Sequence, residues 1–299
     1  MWGAAVRTEG LGLPSCLRGL ADGGVRVRVV GAWVWLDASG QERRRVALPG
    51  DAATVAQLCA GAWTWTVDGD GASLRGEDGR AVARIPRPGL LGFGQGAGWI
   101  GVVGEAGAVG FDPGTGRRAA IPGRWAQVAG GRELVFAGPS GLAVGRHARR
   151  VLCTEPVHAV RVVDGWICAG VGHETWVFCD GVRAGVVPLV IAPGLPAAAH
   201  AGALWLATRT DGGLVELVDG RVRRRVLEGE TVLSLAAGHG RLLAVVGSEL
   251  GQGRVVEVGG DSVLPGPEVD PLIARVAWAG HRLVCGGVRE LAMFEQHTG

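Results

Sequence analysis

The chain of 299 residues contains no lysine, no asparagine and no tyrosine, and all 30 of its basic residues are arginines. Because codons for the missing residues are rich in adenine and thymine, this composition indicates a GC-rich bacterial genome. Arginine in place of lysine is therefore weak evidence for phosphate recognition, although its guanidinium group suits phosphate geometrically. The net charge is only +2, which argues against a dedicated nucleic-acid binder with its large basic excess.

The chain also lacks C-x-x-C pairs, a secretory leader and long apolar runs. Its N-terminus has no charged segment followed by an apolar core, and no run approaches the roughly 18 apolar residues that span a bilayer. We therefore expect a cytoplasmic protein without membrane insertion, with reduced thiols. The six cysteines are Cys16, Cys59, Cys153, Cys168, Cys179 and Cys285.

Motifs for metal, nucleotide or catalytic chemistry are also missing. The glycine-rich segment at residues 92–98 resembles a phosphate loop, but no Gly-Lys-Ser/Thr closes it and no helix is predicted after it. A strand packed close to its neighbours is the favoured interpretation. Cys168, His173 and Cys179 share a predicted hairpin, but their spacing is looser than that of zinc motifs, so buried thiols are favoured. The sequence predicts no catalytic residue, no metal ligand and no cofactor.

Two tryptophan pairs repeat at a spacing of two residues, Trp33 with Trp35 and Trp63 with Trp65. Side chains at this spacing lie on one face of a strand. They either pack between neighbouring sheets or form an aromatic cage for a ligand. Packing is favoured because large aromatic side chains are usually well buried.

What the chain does have is one segment repeated, degenerately, eight times. Each copy consists of four apolar strands separated by Gly-rich and Asp/Gly turns, and the copies start roughly 32 to 41 residues apart. Four short strands with a period near 40 are typical of propeller blades. We predict an all-β fold, a single closed β-propeller spanning residues 1–299 with eight four-stranded blades; seven is the alternative. The blades are predicted at about residues 15–50, 51–89, 90–123, 124–156, 157–193, 194–229, 230–271 and 272–299.

The two ends of the chain complement each other. The last repeat offers only three strands, whereas residues 1–14 contain a spare strand, near residues 4–8, and a linker. Pairing of this strand near Val6 with the last strand near Ala292 would complete the eighth blade. Such closure removes open sheet edges.

A family resemblance rests on the turns. The segment Gly110-Phe-Asp112-Pro-Gly-Thr115-Gly116-Arg resembles the Asp-x-x-Thr-Gly turn of quinoprotein-like and WD-repeat-like propellers, which joins the third and fourth strands of a blade. The chain lacks the vicinal cysteine pair and regularly placed tryptophan that accompany quinone binding there. It is also similar in general style to bacterial propellers associated with MoxR-type ATPases and von Willebrand A-type proteins.

Charge placement suggests two contact surfaces. Loops between second and third strands are predicted to form an acidic rim suited to a cationic partner. The possible partner-binding residues are Asp68, Asp70, Glu105, His173, Glu174, Asp211, Glu249 and Glu290. The outer strands are rich in arginine, which either protects exposed sheet edges or forms a basic belt for an acidic partner. These arginines are Arg43 to Arg45, Arg117, Arg118, Arg149, Arg150, Arg221 and Arg223 to Arg225.

Three classes of function remain open. The favoured one is a non-catalytic, monomeric scaffold that binds a protein or peptide, because no convergent catalytic set is visible. The second is a metal-dependent, lactonase-like or hydrolase-like enzyme with Asp, Glu and His ligands in a central channel. The third is a sensor that binds a small polar ligand in the same channel.

Overall fold

The computed structural model describes residues 2–12, 14, 16–29, 31–47, 56–60, 63–67, 71–76, 80–86, 92–96, 98–104, 107–145, 148–192, 194–208, 212–247, 252–259 and 262–296. In this part of the chain the regular elements are β-strands, numbered β1 to β32 in chain order. They form eight four-stranded sheets, numbered 1 to 8 below. Within the described residues, the structure contains no helix with the length and apolarity that crossing a bilayer requires.

The chain begins with β1 (Trp2–Glu9), whose partner strands come at the other end of the sequence. Sheet 1 contains β2 (Cys16–Gly19), β3 (Val25–Val29), β4 (Ala32–Leu36) and β5 (Glu42–Ala47). Sheet 2 contains β6 (Ala56–Ala60), β7 (Trp63–Val67), β8 (Gly71–Arg75) and β9 (Ala81–Pro86). Sheet 3 contains β10 (Gly92–Gly96), β11 (Trp99–Gly104), β12 (Gly107–Phe111) and β13 (Arg118–Ile121). Sheet 4 contains β14 (Gln127–Gly130), β15 (Leu134–Gly138), β16 (Gly141–Val144) and β17 (Arg150–Cys153).

The second half repeats this order. Sheet 5 contains β18 (Ala159–Val163), β19 (Trp166–Val171), β20 (Glu174–Cys179) and β21 (Val182–Val187). Sheet 6 contains β22 (Ala197–His200), β23 (Ala203–Ala207), β24 (Leu214–Val218) and β25 (Arg221–Val226). Sheet 7 contains β26 (Thr231–Gly238), β27 (Arg241–Gly247), β28 (Gly253–Val258) and β29 (Val263–Pro265). Sheet 8 contains β30 (Ile273–Ala279), β31 (Arg282–Gly287), β32 (Glu290–Gln296) and β1.

The chain forms two compact units. Unit 1 consists of Met1–Leu48, Leu195–Glu216 and Arg224–Gly299, and unit 2 of Pro49–Gly194 and Leu217–Arg223. Within unit 1, β2 lies beside β30, β30 beside β26, and β26 beside β22. Within unit 2, β6 lies beside β10, β10 beside β14, and β14 beside β18. In both units, therefore, successive sheets meet along their first strands.

The hydrophobic core lies between the faces of neighbouring sheets. Between sheets 4 and 5, Val135 and Leu142 pack with Val160, Ile167 and Phe178. Comparable clusters lie between sheets 3 and 4, between sheets 7 and 8, and between sheets 1 and 8. Strands that are buried on both faces therefore have nearly continuous apolar sequences, and β27 is an example.

The predicted pairing of the chain ends is confirmed. Strand β1 runs antiparallel to β32, with Val6 opposite Met293 and Arg7 opposite Ala292. It is the outer strand of sheet 8. Val6 packs against the core between sheets 1 and 8, and the Thr8 hydroxyl donates to the carbonyl of Gly40 at 2.9 Å. The N-terminal strand is thus tied to two sheets of unit 1.

Turns account for the spacing of the strands. Asp112 Oδ1 accepts hydrogen bonds from the backbone N–H of Gly114 and Thr115, and Oδ2 accepts one from the Thr115 hydroxyl. These bonds, led by that of the hydroxyl, lower the pKa of Asp112. Gly116 then has φ +71°, which glycine adopts without strain. The Asp-x-x-Thr-Gly segment joins β12 to β13, as the resemblance implies.

In the glycine-rich segment at residues 92–98, residues 92–96 form β10, so the favoured strand interpretation is confirmed. A Cβ atom added at Gly94 would lie 2.6 Å from the backbone carbon of Ala129 on β14. The two inner strands approach so closely that no side chain fits. Trp33 is buried, with its ring centroid 6.4 Å from that of Trp35 and the Arg26 guanidinium 4.6 Å above it. This pair therefore packs as expected, whereas the side chains of Trp63 and Trp65 lie outside the described residues.

Candidate functional site

A groove lies between sheets 4 and 5 of unit 2. Near the first strands the two sheets are tied by Gln127 of β14. Its side-chain amide donates to the carbonyl of His158 at 2.5 Å, and its oxygen accepts the N–H of Val160 at 3.2 Å. Farther out the sheets leave two adjoining pockets, which share Arg150 and Gly181. We call the two together the groove.

The inner pocket of the groove has an apolar floor and a charged rim. Its volume is about 250 Å³. Val135 and Val144 of sheet 4 face Val162 and Ile167 of sheet 5 across it. Such a space accommodates one apolar side chain and excludes a large ligand, since drug-sized sites usually start at about 300 Å³.

Two exposed ion pairs form the rim of the inner pocket. Arg132 contacts Asp180 at 3.4 Å, which links sheet 4 to sheet 5, and Arg150 contacts Glu133 at 2.8 Å within sheet 4. Both pairs are about half exposed or more, so each contributes roughly 0 to 1 kcal/mol to stability. The rim can therefore rearrange around a bound group at little cost in folding energy.

Arg150 can extend across the groove because Gly181, on the other side, has no side chain in its path. A Cβ atom at Gly181 would lie 2.6 Å from Arg150 Nη1. Gly181 follows Asp180, and both have positive φ, +81° and +48°. This is the type I′ hairpin geometry that an Asp-Gly sequence favours. The turn between β20 and β21 thus provides both an acid for the rim and room for the arginine.

The outer pocket is larger and more open, with a volume of about 610 Å³. One wall is β17 with Val151, which is 55% exposed. The opposite wall carries Trp176 and Phe178 of β20 and Arg183 of β21, whose guanidinium lies 4.7 Å above the Trp176 ring. Exposed apolar groups beside an aromatic ring are characteristic of binding surfaces.

Three polar features of the outer pocket are unsatisfied within the described residues. The Trp176 indole N–H is buried without an acceptor. Arg183 has no carboxylate partner in the part of the chain that the structure describes. Strand β17 pairs with β16 on one side, and sheet 4 places no strand on its other side. The groove thus offers an indole donor, a cation and an open strand edge.

The predicted acidic rim stays a prediction. Asp68, Asp70, Glu105, Asp211 and Glu249 lie outside the described residues. His173 and Glu174 are exposed neighbours, His173 in the turn after β19 and Glu174 as the first residue of β20. Glu290, expected in a loop, begins strand β32 and pairs with Arg7. Its side chain is only 13% exposed, so much of its charge is already compensated within sheet 8.

Several arginines of the outer strands are paired within their own sheets. Arg43 contacts Asp37 at 2.8 Å, and Arg45 contacts Glu42 at 2.6 Å. Arg224 contacts Glu216 at 2.6 Å. This pattern favours edge protection over a continuous basic belt. Arg183 on β21, which lines the outer pocket, has no carboxylate partner among the described residues and therefore has charge left for a partner.

Cys168, His173 and Cys179 do not come together as zinc ligands. His173 precedes β20 and Cys179 is its last residue, so the two are roughly 20 Å apart at about 3.3 Å per residue. Cys168 is fully buried, and this burial raises its pKa to about 12. Among the described residues, no three His, Cys, Asp or Glu side chains come together as metal ligands.

The groove was not predicted from the sequence. Trp176 and Phe178 have the spacing of core residues, and only Val151, an apolar residue that follows two arginines on an outer strand, is a local signal. The pockets lie where the side chains of sheets 4 and 5 leave space between them, although Leu142 and Phe178 pack together between the same two sheets. This arrangement depends on packing of residues distant in sequence.

Comparison with known proteins identifies the fold. No family model and no curated protein matches the chain. It is similar to virginiamycin B lyase from Staphylococcus aureus, with 11% identity and a TM-score of 0.58 over 98% of this chain and 99% of that chain. It is similar to BBS1N, solved in complex with ARL6DN, with 14% identity and a TM-score of 0.56 over 99% and 97%.

The extracellular domain of BT4673 from B. thetaiotaomicron is similar too, with 11% identity and a TM-score of 0.59. That match covers 98% of this chain, which spans only 40% of the length of that chain. The structural neighbours are β-propellers, and the chain shares their four-stranded antiparallel sheets. The predicted β-propeller class is therefore confirmed. At these identities the similarity shows the fold alone.

Proposed function

We propose that this chain is a non-catalytic β-propeller scaffold that binds a protein or peptide partner, and that the groove holds an extended segment of that partner. The observation that carries the proposal is the outer pocket of about 610 Å³, in which an exposed valine and a tryptophan flank the open edge of β17. Apolar surface of this kind on a charged protein marks an interaction site.

The chemistry of the groove indicates which kind of partner segment would bind there. An extended chain added beside β17 would satisfy backbone groups that sheet 4 leaves open, which is the β-augmentation mode of peptide recognition. One apolar side chain of the partner would enter the inner pocket between Val144 and Val162. An acidic side chain would pair with Arg183, whose charge has no carboxylate partner in the described part of the chain.

We propose a single domain over residues 1–299, with each four-stranded sheet as one of eight blades and β1 closing the last. Its support is the regular sequence of eight four-stranded sheets and the pairing of β1 with β32. The match to BBS1N, which extends over nearly the whole of both chains, agrees with this proposal. BBS1N was solved with ARL6DN bound, which is a precedent for a protein partner on this fold.

We place the protein in the bacterial cytoplasm as a monomer, on the basis of its composition. A role beside MoxR-type ATPases and von Willebrand A-type proteins rests on the resemblance of the sequence repeats. The acidic rim, with Glu174 among its exposed residues, is a second proposed contact for a cationic part of the same partner.

A peptide display selection against the purified protein tests the groove. We expect enriched peptides to combine an acidic residue with apolar residues at alternate positions. Val151→Arg and Arg183→Glu should each raise the Kd of a selected peptide at least tenfold. Both residues are exposed, so neither substitution should lower the melting temperature by more than a few degrees.

Val222→Arg on β25 is the matched control, since Val222 is also an exposed valine on an outer strand. It should leave the Kd unchanged. If selected peptides bind both groove variants as tightly as the unmodified protein, the groove is not the binding site. If selection enriches only basic peptides whose binding depends on Glu174, the acidic rim is the main contact.

A further inference from the structure

Arg161 is a part-buried cation that has no counterion among the described residues, and it lies apart from the groove. It occupies the middle of β18, opposite Cys168 of β19. Its neighbours Val160 and Val162 pack into the core between sheets 4 and 5. Because successive residues of a strand alternate between its faces, Arg161 belongs to the opposite face of sheet 5, together with the buried Cys168.

The guanidinium of Arg161 is unsatisfied on one particular edge. Its Nε and Nη2 atoms are both buried, and neither has a hydrogen-bond partner among the described residues. Burial lowers the pKa of Arg161, and no carboxylate acts in the opposite direction. A desolvated, unpaired cation is costly to a fold, so its retention needs a physical reason.

Three other part-buried arginines of the chain are paired. Arg224 contacts Glu216 at 2.6 Å, Arg241 contacts Glu257 at 2.8 Å and Arg282 contacts Glu295 at 2.5 Å. At these three positions a carboxylate compensates the charge, and the buried Arg26 and Arg28 lie over the Trp33 ring instead. Arg161 departs from that pattern.

The geometry of the open edge indicates the missing partner. The N–H groups of Nε and Nη2 point in parallel, and this pair of donors binds two oxygens of a carboxylate or phosphate in bidentate fashion. Gly194 lies beside the same edge: a Cβ atom there would be 3.8 Å from Nη2, and its φ of +90° disfavours any side chain. Glycine thus keeps this flank of the guanidinium free of side-chain atoms.

We propose that Arg161 is the anchor of a binding site for a small oxyanion, with Nε and Nη2 as its two donors. Cys168, opposite Arg161, is buried, so little water lies around the guanidinium and an ion pair formed there is screened only weakly. Protein atoms cover both nitrogens in the absence of an anion, so the covering atoms have to move when the anion enters. The site is independent of the groove and of its proposed partner.

Thermal unfolding and calorimetric titration test the site. The protein is measured in chloride buffer and then with inorganic phosphate or acetate at constant ionic strength. An anion that binds the folded state raises the melting temperature in a saturable way. We expect saturable stabilisation by one of the two anions. Phosphate alone would identify a phosphate-bearing ligand, and acetate alone a carboxylate.

Arg161→Met should abolish the response to anions. It should also leave the protein at least as stable as the unmodified chain in chloride, because it replaces an unpaired buried charge by an apolar side chain. Arg132→Met, which removes an exposed arginine of the same unit, should keep the full response. If Arg161→Met does not fold, Arg161→Gln is titrated instead, and loss of the response again supports the site.

Two results would overturn the proposal. The first is the absence of any saturable response to phosphate and acetate in the unmodified protein. The second is an equal response in the Arg161 variant, which would place the anion elsewhere.

Discussion

Gly130 of β14 approaches Gln95 of β10 so closely that a Cβ atom at Gly130 would lie 2.0 Å from the Gln95 carbonyl oxygen. The contact is between backbones, so no side chain can move aside to relieve it. It joins sheets 3 and 4 along their first strands. The absence of a side chain at Gly130 is therefore a requirement for the packing of these two sheets.

We predict that Gly130→Ala destabilises the protein by about 3 kcal/mol, at the upper end of what overpacking costs. Urea denaturation should show a lower midpoint with an unchanged slope. Gly114→Ala is the control, because a Cβ there meets only Asp112 Oδ1, at 3.4 Å. A Gly130→Ala protein as stable as the control would contradict the close approach of the strands.

We predict that deletion of residues 1–11 lowers the melting temperature by roughly 5 °C or more, at about 2 °C per kcal/mol for a chain of this size. The deletion removes β1, exposes one edge of β32 and leaves Glu290 without Arg7. Val6→Asp should act in the same direction, whereas Val222→Asp on an exposed outer strand should not. An unchanged melting temperature after the deletion would show that β1 does not stabilise sheet 8.

We predict that Glu216→Ala destabilises the protein by about 3 kcal/mol, because it leaves the part-buried Arg224 without its carboxylate. Arg224 also donates to the Gly259 carbonyl at 2.9 Å and lies 5.0 Å above the Trp205 ring. The double variant Glu216→Leu with Arg224→Met should be markedly less destabilised, since it removes both charges together. Equal losses in the single and double variants would argue against a coupled pair.

We predict that stability decreases as the pH falls below about 6.5, the ordinary pKa of histidine. Burial lowers the pKa of His200 in the folded state, and the nearby Glu216 opposes this only in part. The unfolded chain therefore binds more protons than the folded chain in that range, and the contribution of His200 is fully present above it. The free energy of unfolding between pH 5 and 8 gives the slope, which His200→Gln should flatten; an identical slope would exclude His200 as its source.

We predict that reversing Asp68, Glu105, Glu174 and Asp211 to arginine slows association with a partner that has a cationic surface. The effect should fade at high salt, because exposed charges are screened over about 8 Å at physiological ionic strength. The control reverses Arg183 alone, which should weaken binding through the groove. If only the control loses affinity, the acidic residues are not part of the interface.

The sequence predicted the strands well because their signals are local. Alternating residues and Gly-rich turns located Val25–Val29 in sheet 1, and the Asp112 turn located the boundary of β13. The sequence pattern places Glu290 in a loop because its contact with Arg7, at the other end of the chain, is invisible to any local pattern. The groove is invisible for the same reason, since the pattern makes Trp176 a core residue and only the packing of two sheets shows that it lines a pocket.

The open edge of β17 also bears on the behaviour of the protein at high concentration. An unpaired strand is a template for any extended chain, including the same strand of another copy, and such pairing leads to aggregation. Strand β17 is only four residues long and begins with Arg150, and both features disfavour growth of a continuous intermolecular sheet. Because β17 is short, its specificity for a bound segment comes from the adjoining pockets, and its tendency to aggregate with other copies is small.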